Sequence, residues 1–322
     1  MCGSRGVGIL ARVTALEAVA VHLPDSAVPI EAVGQRIGLT PRQISLFRRF
    51  HGLDQVCLDP DGTLHDLLAG ALGALTELRG REHLVRHVLY ARSMPVALPY
   101  PLDPLPDLLD RFGLGHAEHF SLSHHACAGS LLAIDLAGRL LAADPDPDAL
   151  ALVLTGEKTF TRDAQLVPET ALFAEGAAAC LVRAGGGPGE VLSYAVRQLG
   201  EFDGRFAEDP ELLTRYQRAY PETMAEVIRT AAERAGTGLD ELALILPHNV
   251  NQVSWRRLSR ELELPIERVL LDNVPAVGHS FAADGFINLH TAVTRGLLRP
   301  GDRYMIAASG LGATFSAMTV RH

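Results

Sequence analysis

The sequence has little of what marks a secreted or membrane-spanning protein. Its four cysteines lie far apart in a chain of 322 residues, a spacing that fits neither a disulfide framework nor paired zinc ligands. No apolar run approaches the roughly 20 residues that cross a bilayer. The first residues show no basic segment followed by an apolar one, so we predict no secretory signal. These absences predict a cytoplasmic protein with reduced thiols.

Positive charge is also scarce. The chain has 29 Lys and Arg against 38 Asp and Glu, a formal net charge of −9, which argues against nucleic acid or an anionic membrane as the main partner. Two local basic spots stand out, Arg48 with Arg49 and Arg256 with Arg257 and Arg260. They are either solvated surface charge or contacts for a ligand phosphate or an acidic partner protein, because guanidinium groups bind phosphate well.

What is present is ordinary globular material. Hydrophobic residues make up 48% and charged residues 21%, and the length fits two domains or one large α/β unit. Proline and glycine divide the chain into alternating strand-like and helix-like pieces. Helices are predicted at about 40–50, 66–78, 131–141, 210–235, 251–262 and 282–295. Strands are predicted at 84–91, 149–155, 177–182, 190–196, 243–246, 269–271, 304–308 and 314–320.

An internal correspondence divides the chain into two halves. Cys127 is followed by a helix, a strand, the pair Glu175-Gly176 and another strand, and His279 is followed by the same series ending in a Gly-x-Gly turn and a strand. Such a repeat implies duplicated βα units stacked into layers, which puts Cys127 and His279 at equivalent helix N-termini. The glycine-rich turn at 185–188 marks the boundary, which predicts halves of 1–187 and 188–322.

Cys127 is the first candidate for chemistry. It lies in Ser-His-His-Ala-Cys-Ala-Gly-Ser, directly before a predicted helix. A helix N-terminus favours the thiolate through its dipole and free N–H groups, and the same N–H groups can bind the oxyanion that forms when a thioester is attacked. A small buried cysteine that opens a core helix is the alternative for this segment alone.

Two histidines occupy positions that suit catalysis. His248 follows an apolar strand and precedes a helix, at the strand end where ligand sites of open α/β sheets collect. His279 enters a helix at the turn Val-Gly-His-Ser-Phe. A helix-capping histidine and a turn histidine near solvent are the respective alternatives.

A cluster of histidines invites a metal interpretation but does not support it. The residues are His116, His119, His124 and His125. No carboxylate accompanies them at ligand spacing, so we predict no metal and no other cofactor.

The segments taken together resemble β-ketoacyl-ACP synthase III and its thiolase-superfamily relatives. The resemblance rests on Ala-Cys-Ala-Gly at Cys127, Pro-His-Asn-Val-Asn at His248, the C-terminal Gly-Leu-Gly turn and the segment Phe-Ala-Glu-Gly-Ala-Ala-Ala that begins at Phe173. It implies the five-layered αβαβα thiolase fold and a homodimer. It also implies that Cys127 accepts an acyl group from an acyl-CoA or acyl-carrier-protein thioester.

The resemblance further assigns roles to individual residues. His248 takes the place of the family's first partner histidine and His279 the third catalytic place. The backbone of Cys127 and of the loop Gly310-Leu311-Gly312, in particular Leu311 and Gly312, is expected to form the oxyanion hole. Contacts to pantetheine or to a carrier protein are expected from Asn251, Arg48, Arg49 and Arg256.

The chain departs from the type III pattern at three places. His279 stands where that type usually has asparagine and is similar to the histidine of type I and II ketosynthases. The tryptophan and arginine that usually hold coenzyme A are not reproduced in the region 45–53, and the arginine expected after the Pro-His-x-x-Asn pattern is Val253. These departures weaken the case for free coenzyme A as the donor and leave both the choice between coenzyme A and a carrier protein and the second substrate open.

Three functions follow as hypotheses. The first is a decarboxylative Claisen condensation with a malonyl-type thioester in specialised fatty acid or polyketide biosynthesis, in which both histidines donate hydrogen bonds to the thioester carbonyl. The second is acyl transfer to an alcohol or amine with His248 as general base. The third is an inactive partner subunit of a heterodimeric synthase.

Overall fold

A computed structural model describes residues 13–96, 98–99, 101–161, 164–202 and 209–322. Thirteen strands are assigned within this part of the chain: β1 Thr14–His22, β2 Ala27–Pro29, β3 Gln55–Cys57, β4 Val85–Ala91, β5 Glu118–Leu122, β6 Leu150–Glu157, β7 Leu166–Val167, β8 Ala171–Leu172, β9 Gly176–Ala184, β10 Glu190–Gln198, β11 Leu242–Pro247, β12 Arg303–Gly310 and β13 Thr314–Arg321. The α-helices assigned there are α1 Ile30–Arg36, α2 Pro41–Arg49, α3 Leu64–Ala74, α4 Leu105–Arg111, α5 Gly129–Ala143, α6 Pro210–Arg234, α7 Gln252–Glu261, α8 Asn273–Ala276 and α9 Asp284–Thr294.

Nine of the strands form one mixed sheet in which two similar series meet. The order is β11-β12-β13-β10-β1-β9-β6-β4-β5. From β1 outward, β9 and β6 are antiparallel to their inner neighbours, and β4 and β5 are parallel to theirs. From β10 outward, β13 and β12 are antiparallel and β11 is parallel. The second series thus repeats the first, as expected for a duplicated fold.

Three apolar clusters show how helices and strands are layered. The central cluster joins α5 and α9 with the inner faces of both strand series. A second cluster packs α3 and α4 on the outer face of β4, β6 and β9, and a third packs α6 and α7 on the outer face of β11, β12 and β13. The result is the predicted five-layered αβαβα thiolase arrangement, in which α5 and α9 form the middle layer.

The middle layer explains the one helical segment within the described ranges that could be mistaken for a membrane span. The helical segment Ala126–Ala143 is long enough and apolar enough to cross a bilayer, yet 61% of it is buried within the protein. Ile134 and Ala137 are fully buried between the two strand series. Apolar composition on nearly all sides is what a helix packed between two series of strands requires.

Local sequence signals account for several elements. Thr40 caps α2 through a capping box with Gln43, and Pro41 occupies the first turn, where its missing N–H costs nothing. Every residue of β6 is buried. Its side chains alternate between two apolar clusters, so that Val153 packs in the central cluster and Leu152 in the outer one. This explains why β6 is a continuous apolar run.

Most predicted helices and strands are present within a few residues, but one strand prediction is wrong. The segment 269–271 forms no strand, and only a single bridge joins Val269 to Ile245. Three apolar residues are too few to show that a run continues as a ladder. The boundary between residues 187 and 188 falls in the connection from β9 to β10, and two separate halves remain a prediction.

Candidate active site

Cys127 lies where a short turn leads into the middle layer. The 3-10 turn Ala126–Ala128 precedes α5, and Ala126 has a φ of 45°, an uncommon conformation for a residue with a side chain. Cys127 is 4% exposed. Its Sγ accepts a hydrogen bond from Ser93 Oγ at 3.2 Å. The nucleophile candidate is therefore held at a helix N-terminus by a tight turn.

Gly310 lets the last strand pair approach this turn. A Cβ atom at Gly310 would lie 2.1 Å from the carbonyl oxygen of His125 and 3.0 Å from the Cβ of Ala126. Backbone cannot yield to such a contact, so only glycine fits here. The absence of a side chain therefore sets the distance between the Gly310-Leu311-Gly312 loop and Cys127.

His248 is a neutral imidazole surrounded by hydroxyl groups. It follows β11 and is 1% exposed. Burial, helped by the nearby His279, lowers the pKa of His248 to about 3. Its Nδ1 lies 3.5 Å from the carbonyl oxygen of Ala307, an acceptor, which favours the proton on Nδ1. Nε2 then accepts from Tyr220 Oη at 3.1 Å or Ser309 Oγ at 3.2 Å.

His279 has the opposite charge preference. Burial disfavours its charged form, but the Asp284 carboxylate and the Cys127 sulfur outweigh burial and raise the pKa of His279 to about 10. Nδ1 donates to Asp284 Oδ2 at 2.5 Å. The hydrogen bond with Cys127 therefore uses the other ring nitrogen. At neutral pH this side chain is an imidazolium beside the sulfur.

The three predicted catalytic side chains meet in one cavity. The His248 and His279 rings have centroids 6.2 Å apart, and the cavity of about 330 Å³ is lined by Cys127, both histidines, Ser309 and Leu311. Phe173 stacks on His279 at 4.8 Å and on Phe281 at 4.3 Å. An apolar wall thus adjoins the reactive groups, as is typical of small-molecule sites.

The other predicted site residues are distributed unevenly. Leu311 is 42% exposed at the cavity, and Gly312 follows it in the same turn with a φ of 109°. Asn251 lines the cavity, but its side chain also caps α7 through Ser254 N and donates to the carbonyl of Thr170. Whether these backbone and amide groups bind substrate stays a prediction.

The predicted arginines do not line the cavity. Arg48 forms ion pairs with Glu31 at 2.7 Å and Asp54 at 3.4 Å. Arg49 and Arg256 are exposed, and the arginine that reaches the cavity is Arg257. Contacts from the three predicted arginines to a bound pantetheine or carrier protein remain a prediction that the cavity lining does not support.

Sequence reasoning missed the partners of these groups. Asp284 lies in the motif that identified His279, five residues on, but an acidic residue at a helix start is common and did not mark it as a partner of the histidine. Tyr220 lies on α6, 28 residues before the histidine that it contacts, and no local pattern marks it. Ser93 and Glu157 were missed for the same reason, because no local sequence pattern marks them as part of the site.

Metal binding finds no geometric support in the described ranges, where no three His, Cys, Asp or Glu side chains are arranged to hold an ion. The absence of a metal therefore stays an expectation drawn from the sequence.

Comparisons with known proteins agree on one family. The model of the 3-oxoacyl-[acyl-carrier-protein (ACP)] synthase III C terminal matches residues 232–322. The β-ketoacyl-[acyl-carrier-protein] synthase III 3 of Streptomyces coelicolor is 29% identical over 294 residues, which cover 83% of this chain and 85% of the relative.

Solved structures show the same fold. The FabH 3-oxoacyl-(acyl carrier protein) synthase III of Pseudomonas aeruginosa PAO1 matches with a TM-score of 0.78 at 22% identity, over 96% of this chain and 98% of that one. ChlB3, described as an acyltransferase, matches with a TM-score of 0.81 at 21% identity, over 96% and 97%.

The close approach at Gly310 predicts the effect of a single methyl group. Gly310→Ala pushes the 310–312 loop away from Cys127, and a misplacement of about 1 Å costs roughly 100-fold in acylation rate. The rate is measured by rapid-quench mass spectrometry of the acylated protein. Gly200→Ala is the matched control, because nothing lies within 4 Å of a Cβ at Gly200. Equal acylation rates for Gly310→Ala and Gly200→Ala would contradict the assignment of the 310–312 loop to the active site.

The Asp284 contact predicts a pH dependence. Protonated His279 contributes stability that is complete below the ordinary histidine pKa and is lost as pH rises through about 10. Asp284→Asn removes the main attraction for the proton, so the titration of His279, followed by NMR of ¹⁵N-labelled histidine, moves to lower pH.

The matched control for this prediction is Asp272→Asn, since Asp272 pairs with Arg295 at the surface with 55% of its side chain exposed. An Asp284→Asn protein that keeps the wild-type titration of His279 would show that another group holds the proton.

Proposed function

We propose that this chain, which is similar in sequence and fold to 3-oxoacyl-[acyl-carrier-protein] synthase III proteins, is an acyl-transferring condensing enzyme that joins an acyl group carried on Cys127 to a malonyl-type thioester. The observation that carries the proposal is the convergence of a sulfur, an imidazolium and a neutral imidazole in one cavity. Specialised fatty acid or polyketide biosynthesis is the proposed setting.

The first half-reaction is acyl transfer to sulfur. The Cys127 thiolate, paired with the His279 imidazolium, attacks the carbonyl carbon of an acyl-CoA or acyl-carrier-protein thioester. The N–H groups of Cys127 and of the 310–312 loop stabilise the oxyanion, a contribution of about 2.7–4 kcal/mol for each donor. The carbon–sulfur bond of the donor breaks, and the leaving thiolate takes a proton from His279.

The second half-reaction is condensation. His279 first regains from solvent the proton that it gave to the leaving thiolate. The malonyl-type thioester then loses carbon dioxide, and the bonding electrons become an enolate whose oxygen accepts hydrogen bonds from the histidines. The enolate carbon attacks the acyl-Cys127 carbonyl, the tetrahedral intermediate collapses, and the Cys127 thiolate leaves. His248 takes part as a donor only with its proton on Nε2, so the Tyr220 and Ser309 hydroxyls must then turn away from that nitrogen.

A second candidate is acyl transfer to an alcohol or amine. It is favoured by the Tyr220 hydroxyl, 3.1 Å from His248 Nε2, which occupies the position that an acceptor hydroxyl would take to be deprotonated. The fold relative ChlB3, an acyltransferase, is consistent with this chemistry. The low pKa of His248 makes the ring a weak base, which is why we place condensation first.

The acyl-enzyme is directly testable. Intact-protein mass spectrometry after incubation with acyl-CoA and acyl-carrier-protein donors is expected to show one acyl adduct on the wild type and none on Cys127→Ala. Cys57→Ala is the matched control and keeps its adduct, because burial raises the pKa of that thiol and makes it unreactive. A wild type that no donor acylates would overturn the proposal and favour the inactive-subunit hypothesis.

The acyl-enzyme then separates the two candidate functions. Addition of malonyl-carrier protein or malonyl-CoA is expected to release carbon dioxide and to clear the adduct. His279→Ala is expected to lower this turnover by about 100- to 1,000-fold. Clearance by an alcohol or amine without release of carbon dioxide would establish the second candidate instead.

The homodimer is part of the same proposal. β5 is the last strand of the sheet, and the residues from Glu118 to Ser121 are exposed. An exposed edge presents unpaired backbone groups to a second chain, and Phe120 adds an apolar side chain that is 36% exposed. We therefore assign the dimer contact to this edge.

Phe120→Glu is expected to convert the dimer into a monomer, because each protomer then brings a negative charge to the contact and the two charges repel each other. Light scattering coupled to size-exclusion chromatography measures the mass. Leu297→Glu is the control, since Leu297 is 44% exposed in the connection from α9 to β12 rather than on the edge strand. A wild type that is monomeric at micromolar concentration would contradict the assignment.

A further inference from the structure

Glu157 is a buried carboxylate that the proposed mechanism does not use. It ends β6 and is 1% exposed. Its Oε2 accepts from the backbone N–H of Ser93 at 2.6 Å, and its Oε1 accepts from the N–H of Met94 at 2.7 Å. Two consecutive amides of the segment after β4 are thus held by the two oxygens of one side chain.

The segment that Glu157 holds is in contact with the nucleophile. Ser93 Oγ lies 3.2 Å from Cys127 Sγ and is placed to donate to it. Met94 packs against the apolar cluster of Cys127, Phe173 and Phe281. Glu157 itself reaches Cys127 only through these two residues.

The electrostatic surroundings make this arrangement costly. Burial raises the pKa of Glu157 to about 7, against the opposing effect of the amides of Met94 and Ser93, the Ser93 hydroxyl and Arg92. The Ser93 hydroxyl has a single proton, so it donates either to Glu157 or to the Cys127 sulfur, which lies 3.2 Å away. The titratable groups recorded beside Cys127 are His279 and Tyr216. A carboxyl group with so little exposure is stable as a charge only while its hydrogen bonds are made, so its geometry is strictly defined.

We propose that Glu157 is a positioning residue for the nucleophile: it fixes the Ser93–Met94 backbone so that the Ser93 hydroxyl donates a hydrogen bond to the Cys127 thiolate. A hydrogen bond to the charged form favours that form. The Ser93 hydroxyl therefore increases the fraction of Cys127 that is ready to attack, and Glu157 determines whether the hydroxyl is in place. The inference rests on Cys127 being the acyl acceptor of the proposed function.

The experiment measures the thiolate without any substrate. Alkylation of Cys127 by iodoacetamide is followed over pH by peptide mass spectrometry, which separates Cys127 from the other cysteines. Ser93→Ala is expected to shift the midpoint of the rate profile to higher pH and to lower the rate at pH 7 about tenfold. Glu157→Gln is expected to do the same, and Ser93→Thr, which keeps the hydroxyl, to restore much of the rate.

The double variant tests the dependence of one residue on the other. If Glu157 acts through Ser93, then Glu157→Gln with Ser93→Ala reacts no more slowly than Ser93→Ala alone. Thr155→Val is the matched control, since Thr155 is buried on the same strand and its hydroxyl has no hydrogen-bond partner among the described residues. It is expected to react like the wild type.

Three results would overturn the inference: an unchanged profile in Ser93→Ala, an unchanged profile in Glu157→Gln, or additive losses in the double variant. Should Glu157→Gln fail to fold, Glu157→Asp, which withdraws the carboxylate by one methylene, replaces it. A third combination separates the two proposals. If the variants show the expected shifts in alkylation but no thioester acylates the wild type, the proposed function is refuted, while the positioning of Cys127 by Ser93 and Glu157 still holds.

Discussion

The buried contact between Asp284 and His279 is the interaction on which the site depends. Asp284 is 1% exposed, and a carboxylate at such depth needs all of its hydrogen bonds. Besides His279 it accepts the backbone N–H groups of Ser280 at 2.7 Å and Asn249 at 2.6 Å. Asn249 directly follows His248, so one carboxylate fixes the backbone beside both histidines.

A chain of amide side chains extends this support into the middle layer. Asn288 on α9 donates to Asn249 Oδ1 at 2.9 Å and to the carbonyl of Pro247 at 2.7 Å. Asn273 donates in turn to Asn288 at 2.7 Å. A buried polar network of this kind is stable only when its members are satisfied together. The end of β11 and the start of α9 are therefore linked by hydrogen bonds as well as by packing, which preorganises the cavity before substrate arrives.

The sequence allowed much of this arrangement to be predicted, because the reactive residues lie at ends of regular elements. Cys127 and His279 each lie at a turn that leads into a helix, His248 follows an apolar strand, and position in an α/β fold follows from those patterns. The helices and strands are long enough for their periodicity to be recognised, whereas the run at 269–271 was not.

The partners of the reactive residues were not predictable in the same way. An acidic residue in a first helical turn, such as Asp284, is already favoured by the helix dipole and so carries no special signal. Glu157 meets Ser93 across 64 positions of sequence, and such contacts arise only once the layers pack. The ion pairs of Arg48 were not predictable for a similar reason, because its acidic partners Glu31 and Asp54 come close to it only in the folded chain.

The same packing gives two histidines of one cavity opposite tasks. His279 faces a carboxylate and a sulfur that favour its cation, and its pKa is about 10. His248 is buried beside that cation, and burial together with the cation lowers its pKa to about 3, against the opposing effect of the Ala307 carbonyl. Separated in this way, the two rings do not compete for one proton: the first carries it beside the Cys127 sulfur, and the second stays neutral. The asparagine of the usual type III pattern could not provide this division, because an amide carries no charge. The histidine at position 279 is therefore the departure that changes the chemistry of the site, and its value depends on Asp284 being in place to hold the proton.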